Sequence, residues 1–390
     1  MRVLTLLDLQ NTGGASVASN RIANALSNCG VTVSSTSSDG FESSSHKPLF
    51  LGRKYQVLST LFSSKLPSFI LENLRIKEFQ KQLRILLRAN QPDIINAHNL
   101  HSAGWPISLI RTCLDYAPVV WTLHDCWSFL GSFYHTHSPA PSAKLKEEID
   151  SFWNSLMGNP AKYKLCATTP SSWMKNQAGA SYWKQYQIDC IHNPIPDSYF
   201  SPKDRLACKR ALNLKEEKTT ILCIAGNLNE ERKGGINLNS ILSQKWGSDA
   251  EFLLIGNGDS HHTYAENVKS LGFINDEISL QIAYHAADLL LHTAPVDNLP
   301  NTVAESLSCG TPVLAFDTGG LSEMVIPQMS GWLVPPGDQA GMISTLRSVL
   351  DTKSYSALHS SCRSTASEKF QSSKIGKEYQ DLFISCTAAK

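Results

Sequence analysis

The feature that most constrains this chain is an alternation, run through twice, of short apolar stretches with helix-length amphipathic ones. The first series holds Val3–Leu9, Val31–Ser34, Asp93–Ala97, Val119–Leu123, Leu165–Thr169 and Ile188–Ile191. Between them lie Ala15–Cys29, Phe69–Arg88 and Ser102–Asp115, each with apolar positions at helical spacing. The second series is Thr220–Ala225, Glu251–Ile255, Gly272–Ile274, Asp288–His292, Pro312–Phe316 and Trp332–Val334. Continuous apolar runs suit strands covered on both faces, and their alternation with helices implies parallel sheets. Two series imply an α/β chain of two Rossmann-like, doubly wound parallel-sheet domains. A length of 390 residues agrees, because a single core rarely grows that large.

The expected division is residues 1–196, residues 197–366, and a helical tail over 367–390. The first break falls where Pro194, Pro196 and Pro202 interrupt a polar stretch, with Ser201-Pro202 expected to cap and start the next helix. The tail spaces Phe370, Ile375, Tyr379, Leu382 and Phe383 as one helical face. Ser34–Ser45 is Ser-rich and is expected to be a surface loop.

Composition removes several function classes. Thirty-five Lys plus Arg balance 34 Asp plus Glu, so no nucleic-acid partner is expected. The ten cysteines include no C-x-x-C pair, which points to a reducing compartment without a zinc site or disulfide framework. Met1-Arg2 leads straight into a strand-length run, so no signal peptide is expected, and no stretch approaches the roughly 20 apolar residues of a membrane span. The expected location is the cytoplasm.

The chemistry gathers at strand ends. After the Asp288–His292 run come a turn with Asp297, Asn298, Leu299 and Pro300, and then a helix carrying Asn301, Thr302 and Glu305. A strand, a turn and a helix start make a ligand site at the carboxyl edge of a parallel sheet, where unpaired N–H groups attract anions. Arg232 and Lys233, before Gly234-Gly235, suit a diphosphate clamp; taken alone they are equally an exposed turn paired with Glu230 and Glu231. Gly256 and Gly258 follow another strand without the third glycine of a dinucleotide fingerprint. In the first series, Gly13-Gly14 opens a helix and can present amides to a phosphate, while His124-Asp125 leaves the end of a strand.

Asp297-x7-Glu305, followed by Cys309-Gly310-Thr311-Pro312-Val313 and Gly319-Gly320-x-x-Glu323, resembles the donor-site signature of family-four retaining glycosyltransferases of the GT-B fold, the group 1 glycosyltransferases. Gly13-Gly14, His124-Asp125, Asn193-Pro194, Lys233-Gly234 and Gly256 follow the family pattern in order. The resemblance implies two domains facing across a cleft, an acceptor-side domain first and a nucleotide-sugar domain second, with the tail returning to the first. It implies that Glu305 holds the donor ribose, that Asp297 sits beside the transferred sugar, and that backbone from Asn298, Leu299, Pro300, Asn301 and Thr302 contacts sugar and diphosphate. By the same resemblance Gly13, Gly14, Lys233 and Gly256 would line the nucleotide and diphosphate, His124 would lie beside the donor sugar, and Asp125 would orient it or the acceptor. The implied reaction is metal-independent hexosyl transfer from a nucleotide-diphosphate sugar, with no cofactor, to a glycan or lipid-linked acceptor in cell-surface polysaccharide synthesis.

The chain departs from the pattern in three places. Asp297 replaces a Glu. Asn227 replaces the upstream Arg of the clamp, for which Arg232 is expected to compensate. Leu130–His137 lacks the cysteines of close relatives, and acceptor contacts through His135 or His137 are conceivable there. Two alternatives stay open: a nucleotide-sugar epimerase of the same fold, and an inactive nucleotide-sugar-binding protein. Finally, Arg53–Arg88 carries Arg53, Lys54, Lys65, Arg75, Lys77, Lys81, Arg84 and Arg88 against Glu72 and Glu78. It is expected to be either an amphipathic helix on a folded domain or a peripheral contact with an anionic membrane.

Overall fold

In the computed structural model, described for residues 1–10, 13–39, 46–49, 67–133, 138–158, 162–258 and 266–388, the apolar runs form two six-stranded parallel sheets. The first contains β1 (Arg2–Leu6), β2 (Thr32–Thr36), β3 (Ile94–Ala97), β4 (Val119–Thr122), β5 (Leu165–Thr169) and β6 (Gln187–Cys190). The second contains β7 (Thr219–Asn227), β8 (Ala250–Asn257), β9 (Val268–Ser270), β10 (Leu289–His292), β11 (Val313–Phe316) and β12 (Gly331–Val334). Their central strands are buried along their length, which is why the sequence shows continuous rather than alternating apolar runs.

The strand orders are β2-β1-β3-β4-β5-β6 and β12-β11-β10-β7-β8-β9. Each order reverses once, between β1 and β3 in the first sheet and between β7 and β10 in the second. At such a switch point the loops leaving neighbouring strands part and open a crevice beyond the carboxyl ends. The residues that leave β1, β3, β7 and β10 therefore define where ligands can bind.

Several boundaries differ from expectation. Ser35 and Thr36, expected in a loop, complete β2, and Phe370, expected on the face of the tail, ends the helix His359–Phe370 and packs in the second domain's core. Gly272, at φ 68, turns the chain away, and the edge strand lies earlier, at Val268–Ser270. Within Ser102–Asp115 only Leu109–Leu114 is α-helical, because Gly104 and Pro106 interrupt the first half. The helix expected at Ser201-Pro202 begins at Arg205, where Asp204 accepts from the amides of Leu206 and Ala207.

The last helix, Ser372–Ala388, buries Ile375, Tyr379, Leu382 and Phe383 in one cluster with Val3, Ile22, Leu26 and Val120 of the first sheet's layers. Gly376 permits this approach, since a Cβ there would lie 2.6 Å from the Ala25 carbonyl. The helix Ser68–Asn90 likewise turns Phe79, Leu83 and Leu87 into the first core. Its Arg75 is bound to Glu72 at 2.7 Å and donates to the Gly104 carbonyl. Residues 53–66 of the basic stretch, His135, His137 and residues 40–45 of the Ser-rich loop lie outside the described residues. Among the described residues no helix is long and apolar enough to cross a membrane.

Candidate active site

The site is built first from the second sheet's switch point. β7 runs into a 3₁₀ turn, Glu231–Lys233, while β10 runs into the turn holding Asp297. Lys233 Nζ donates to Asp297 Oδ2 at 2.7 Å across the crevice. The Asp297 side chain is only 8% exposed and that of Lys233 30%, so the carboxylate is enclosed and the amine reaches outward. Burial opposes the charge on Asp297, but Lys233 and His292 hold its pKa below the ordinary value. His292, buried beneath, is pushed down to about 4 by burial and by Lys233, against the pull of Asp297.

The turn is packed from outside by Gly319-Gly320. A Cβ on Gly319, at φ 59, would fall 1.7 Å from the Asp297 carbonyl, and one on Gly320 would fall 2.1 Å from that of Asn298. Two side-chain-free residues are therefore needed to seat the turn. Beyond Pro300 the helix Asn301–Ser308 starts with no side-chain cap, so its first amides are left for another partner.

The first domain closes over this helix start. Asn301 Nδ2 donates to the Gly14 carbonyl at 3.0 Å, and Asn193 Nδ2 donates to Asn301 Oδ1 at 3.3 Å. Asn298 Nδ2 donates to the His124 carbonyl at 2.9 Å, and its Oδ1 accepts from Ser171 Oγ at 2.5 Å. Gly13, at φ 89, precedes the helix Gly14–Asn28, which also lacks a side-chain cap. Gly13-Gly14, His124, Asp297, Asn298, Leu299, Pro300, Asn301, Thr302 and Lys233 thus lie around one interdomain crevice.

Other expected residues are engaged differently. Asp125 does not orient His124. Its Oδ2 faces His101 Nε2 at 2.9 Å and its Oδ1 accepts from the Trp127 amide. Although burial disfavours its charge, His101 has its pKa raised by Asp125 and by Asp8. His124 instead faces His98 edge to edge, with Nε2 2.9 Å from His98 Nδ1, centroids 5.2 Å apart and ring planes within 17° of parallel. His98 and His101 leave the carboxyl end of β3, at the first sheet's switch point, where the logic that selected His124 would also have found them. Arg232 is bound to Glu230 at 2.7 Å and lies over the Phe133 ring, so its guanidinium does not face Asp297 as Lys233 does. Asn227 accepts from the Asn229 amide and pairs with Asn257, which ends β8 one residue after Gly256.

Glu305 is the least expected. It is 5% exposed, and both carboxylate oxygens are occupied. Oε1 receives Arg21 Nη1 from the first domain at 2.7 Å, and Oε2 receives Tyr284 Oη at 2.7 Å. Arg21, itself 5% exposed, also reaches Glu277 at 2.9 Å and Tyr199 at 3.3 Å. Burial works against its charge, but Glu305, Tyr199 and Glu277 together raise its pKa. The available signal was Arg21's place on the helical face of Ala18, Ile22 and Ala25, since a cation there must find a buried partner.

Two facing, doubly wound domains with a crevice at both switch points define the GT-B architecture. The chain matches two family models, one described as Glycosyltransferase Family 4 over residues 12–199 and one as Glycosyl transferases group 1 over residues 219–352. It belongs to the family-four, group 1 glycosyltransferases. Among relatives it is 25% identical over 283 residues to a putative colanic acid biosynthesis glycosyl transferase of Escherichia coli K12, covering 65% of this chain and 66% of that one. To the N-acetyl-alpha-D-glucosaminyl L-malate synthase of Bacillus anthracis it is 21% identical over 203 residues, covering 50% and 53%. The chain thus spans about half the length of that synthase and just under two thirds of the E. coli protein. In fold it is similar to sucrose-phosphate synthase from Thermosynechococcus elongatus, with a TM-score of 0.76, 18% identity and full coverage of both chains. It is also similar to HepE of Anabaena in complex with UDP-glucose, with a TM-score of 0.68, 16% identity, and coverage of 99% of this chain and 100% of that one.

Proposed function

We propose that this protein transfers a hexosyl group, with retention, from a nucleotide-diphosphate sugar to a glycan or lipid-linked acceptor. The observation that carries the reading is the Lys233–Asp297 pair set against the uncapped start of the helix Asn301–Ser308. A leaving diphosphate needs positive charge and amide donors, and both converge there. Lys233 has three N–H donors and spends one on Asp297, so two remain for phosphate oxygens. The Gly13-Gly14 amides approach from the opposite domain. Asp297, kept ionised by Lys233, stabilises the oxocarbenium-like sugar as the bond to phosphate breaks.

Glu305 keeps a place in this scheme. A carboxylate offers about four lone-pair sites, and Arg21 and Tyr284 fill two, leaving two for the vicinal hydroxyls of a ribose. The fold neighbour from Anabaena is complexed with UDP-glucose, which favours a uridine donor as the first to try. Wild-type protein is therefore incubated with UDP-, GDP- and ADP-sugars and an acceptor mixture, beside Lys233→Ala. One donor is expected to support transfer, and the variant to be slower by about 10²–10³-fold. Equal rates, or epimerised donor released without acceptor, would overturn the reading. A lipid-linked acceptor, made near the cytoplasmic face of a membrane, would be met through the basic stretch 53–88; flotation independent of anionic lipid would exclude that part.

A further inference from the structure

A buried polar chain runs through the first domain to the crevice. Asn96, on β3, is fully buried, and its Nδ2 donates to the Val120 carbonyl and to Thr122 Oγ1, each at 3.0 Å. A carbonyl can only accept, so the amide's orientation is fixed and Oδ1 must face His98 Nε2, 3.0 Å away. Nε2 of His98 therefore carries the hydrogen. His98 is fully buried, and burial together with His124 keeps it neutral, so its Nδ1 is bare. That bare nitrogen lies 2.9 Å from Nε2 of His124, which must then be the donor. A neutral imidazole carries one N–H, so Nδ1 of His124 is left as an acceptor. His124 is half-buried, and its backbone carbonyl is tied to Asn298, next to Asp297.

We propose that His98 is a positioning residue: anchored by Asn96, it fixes His124 in the Nε2–H tautomer and so presents Nδ1 as an acceptor for a hydroxyl of the transferred sugar. The part concerning the sugar rests on the transferase reading above; the tautomer does not. Burial has pushed His124 down to about 4, so near neutrality it acts as an oriented hydrogen-bonding group rather than as a proton donor. A freely rotating, tautomerically mixed imidazole would face the hydroxyl with an N–H part of the time, reversing the hydrogen bond and leaving the hydroxyl's own hydrogen without its oriented acceptor.

The test uses ¹⁵N-histidine-labelled full-length protein, with the His124 resonances assigned by their loss in His124→Gln. Wild type is expected to show His124 protonated at Nε2 and bare at Nδ1. His98→Phe keeps a planar ring but removes the acceptor, whereas His98→Gln retains a carbonyl acceptor and an amide donor. With the active donor, His98→Phe should lower kcat about tenfold or more while donor KM moves less than about twofold. His98→Gln should recover most of kcat. An Nδ1–H tautomer in wild type would overturn the proposal, as would equal loss in both variants, which marks a packing role. If no donor supports turnover, the failure lies with the transferase reading, and the wild-type tautomer still decides the role of His98.

Discussion

Replacing Arg21 by Met keeps the length of the side chain and removes its charge. Glu305 would then stand 5% exposed with only Tyr284 Oη as a donor, since the guanidinium's other ionic partner, Glu277, is itself a carboxylate. Breaking a buried pair by deleting one member costs about 3–5 kcal/mol, because the remaining charge has lost its compensation. With a urea slope of about 2–3 kcal/mol/M, the midpoint should fall by about 1–2.5 M. Tryptophan fluorescence follows this directly, as the chain has eight tryptophans. The pH dependence has a definite sign. A lone buried carboxylate has a folded pKa raised above its unfolded value, so the penalty is full at high pH and shrinks on acidification as the group protonates. Arg21→Met with Glu305→Leu removes both charges and should recover most of the loss. A penalty under about 1 kcal/mol, unaffected by pH and not rescued in the double variant, would refute the assignment of this pair as a buried interdomain tie.

Two further outcomes complement the Lys233→Ala and His98 experiments. His285 and His292 are 3% and 8% exposed, and each has its pKa lowered from 6.5 to about 4, chiefly by burial. The unfolded chain therefore binds more protons between those values, and stability should fall by about 2 kcal/mol per histidine from pH 7 to pH 5; a His285→Gln/His292→Gln variant should remove their share of that slope in urea titrations, leaving the share of His98 and His124. Gly319→Ala forces a left-handed backbone onto alanine and drives its Cβ into the Asp297 carbonyl. It should abolish thermal stabilisation by the donor, whereas unchanged stabilisation would show that the turn does not shape the site.

Much of this arrangement was legible in the sequence because strands buried on both faces leave continuous apolar runs, and because ligand loops must follow such runs. That logic drew attention to the turns holding Lys233, Asp297 and Asn298, and the family resemblance supplied the roles expected of them. What stayed hidden depends on which side chain meets which across the crevice. Asp125 pairs with His101 rather than His124, and adjacency in sequence misleads here because successive residues point in different directions. Arg21 meets Glu305 across a separation of 284 residues, which no local pattern encodes. The edge strand Val268–Ser270 was missed because three half-buried residues make too short a run to stand out.

The terminal helix has a consequence for the order in which the molecule is made. Val3, Ile22, Leu26 and Val120 belong to the first sheet's layers, yet their cover, Ile375 to Phe383, is synthesised some 250 residues after β4. Domains generally fold as they emerge, the N-terminal one first. Here the second domain can complete its core while the first still presents an open apolar face. The early domain must wait for the last helix, and a chain interrupted before Ser372 would leave the ribosome with that face exposed to other proteins.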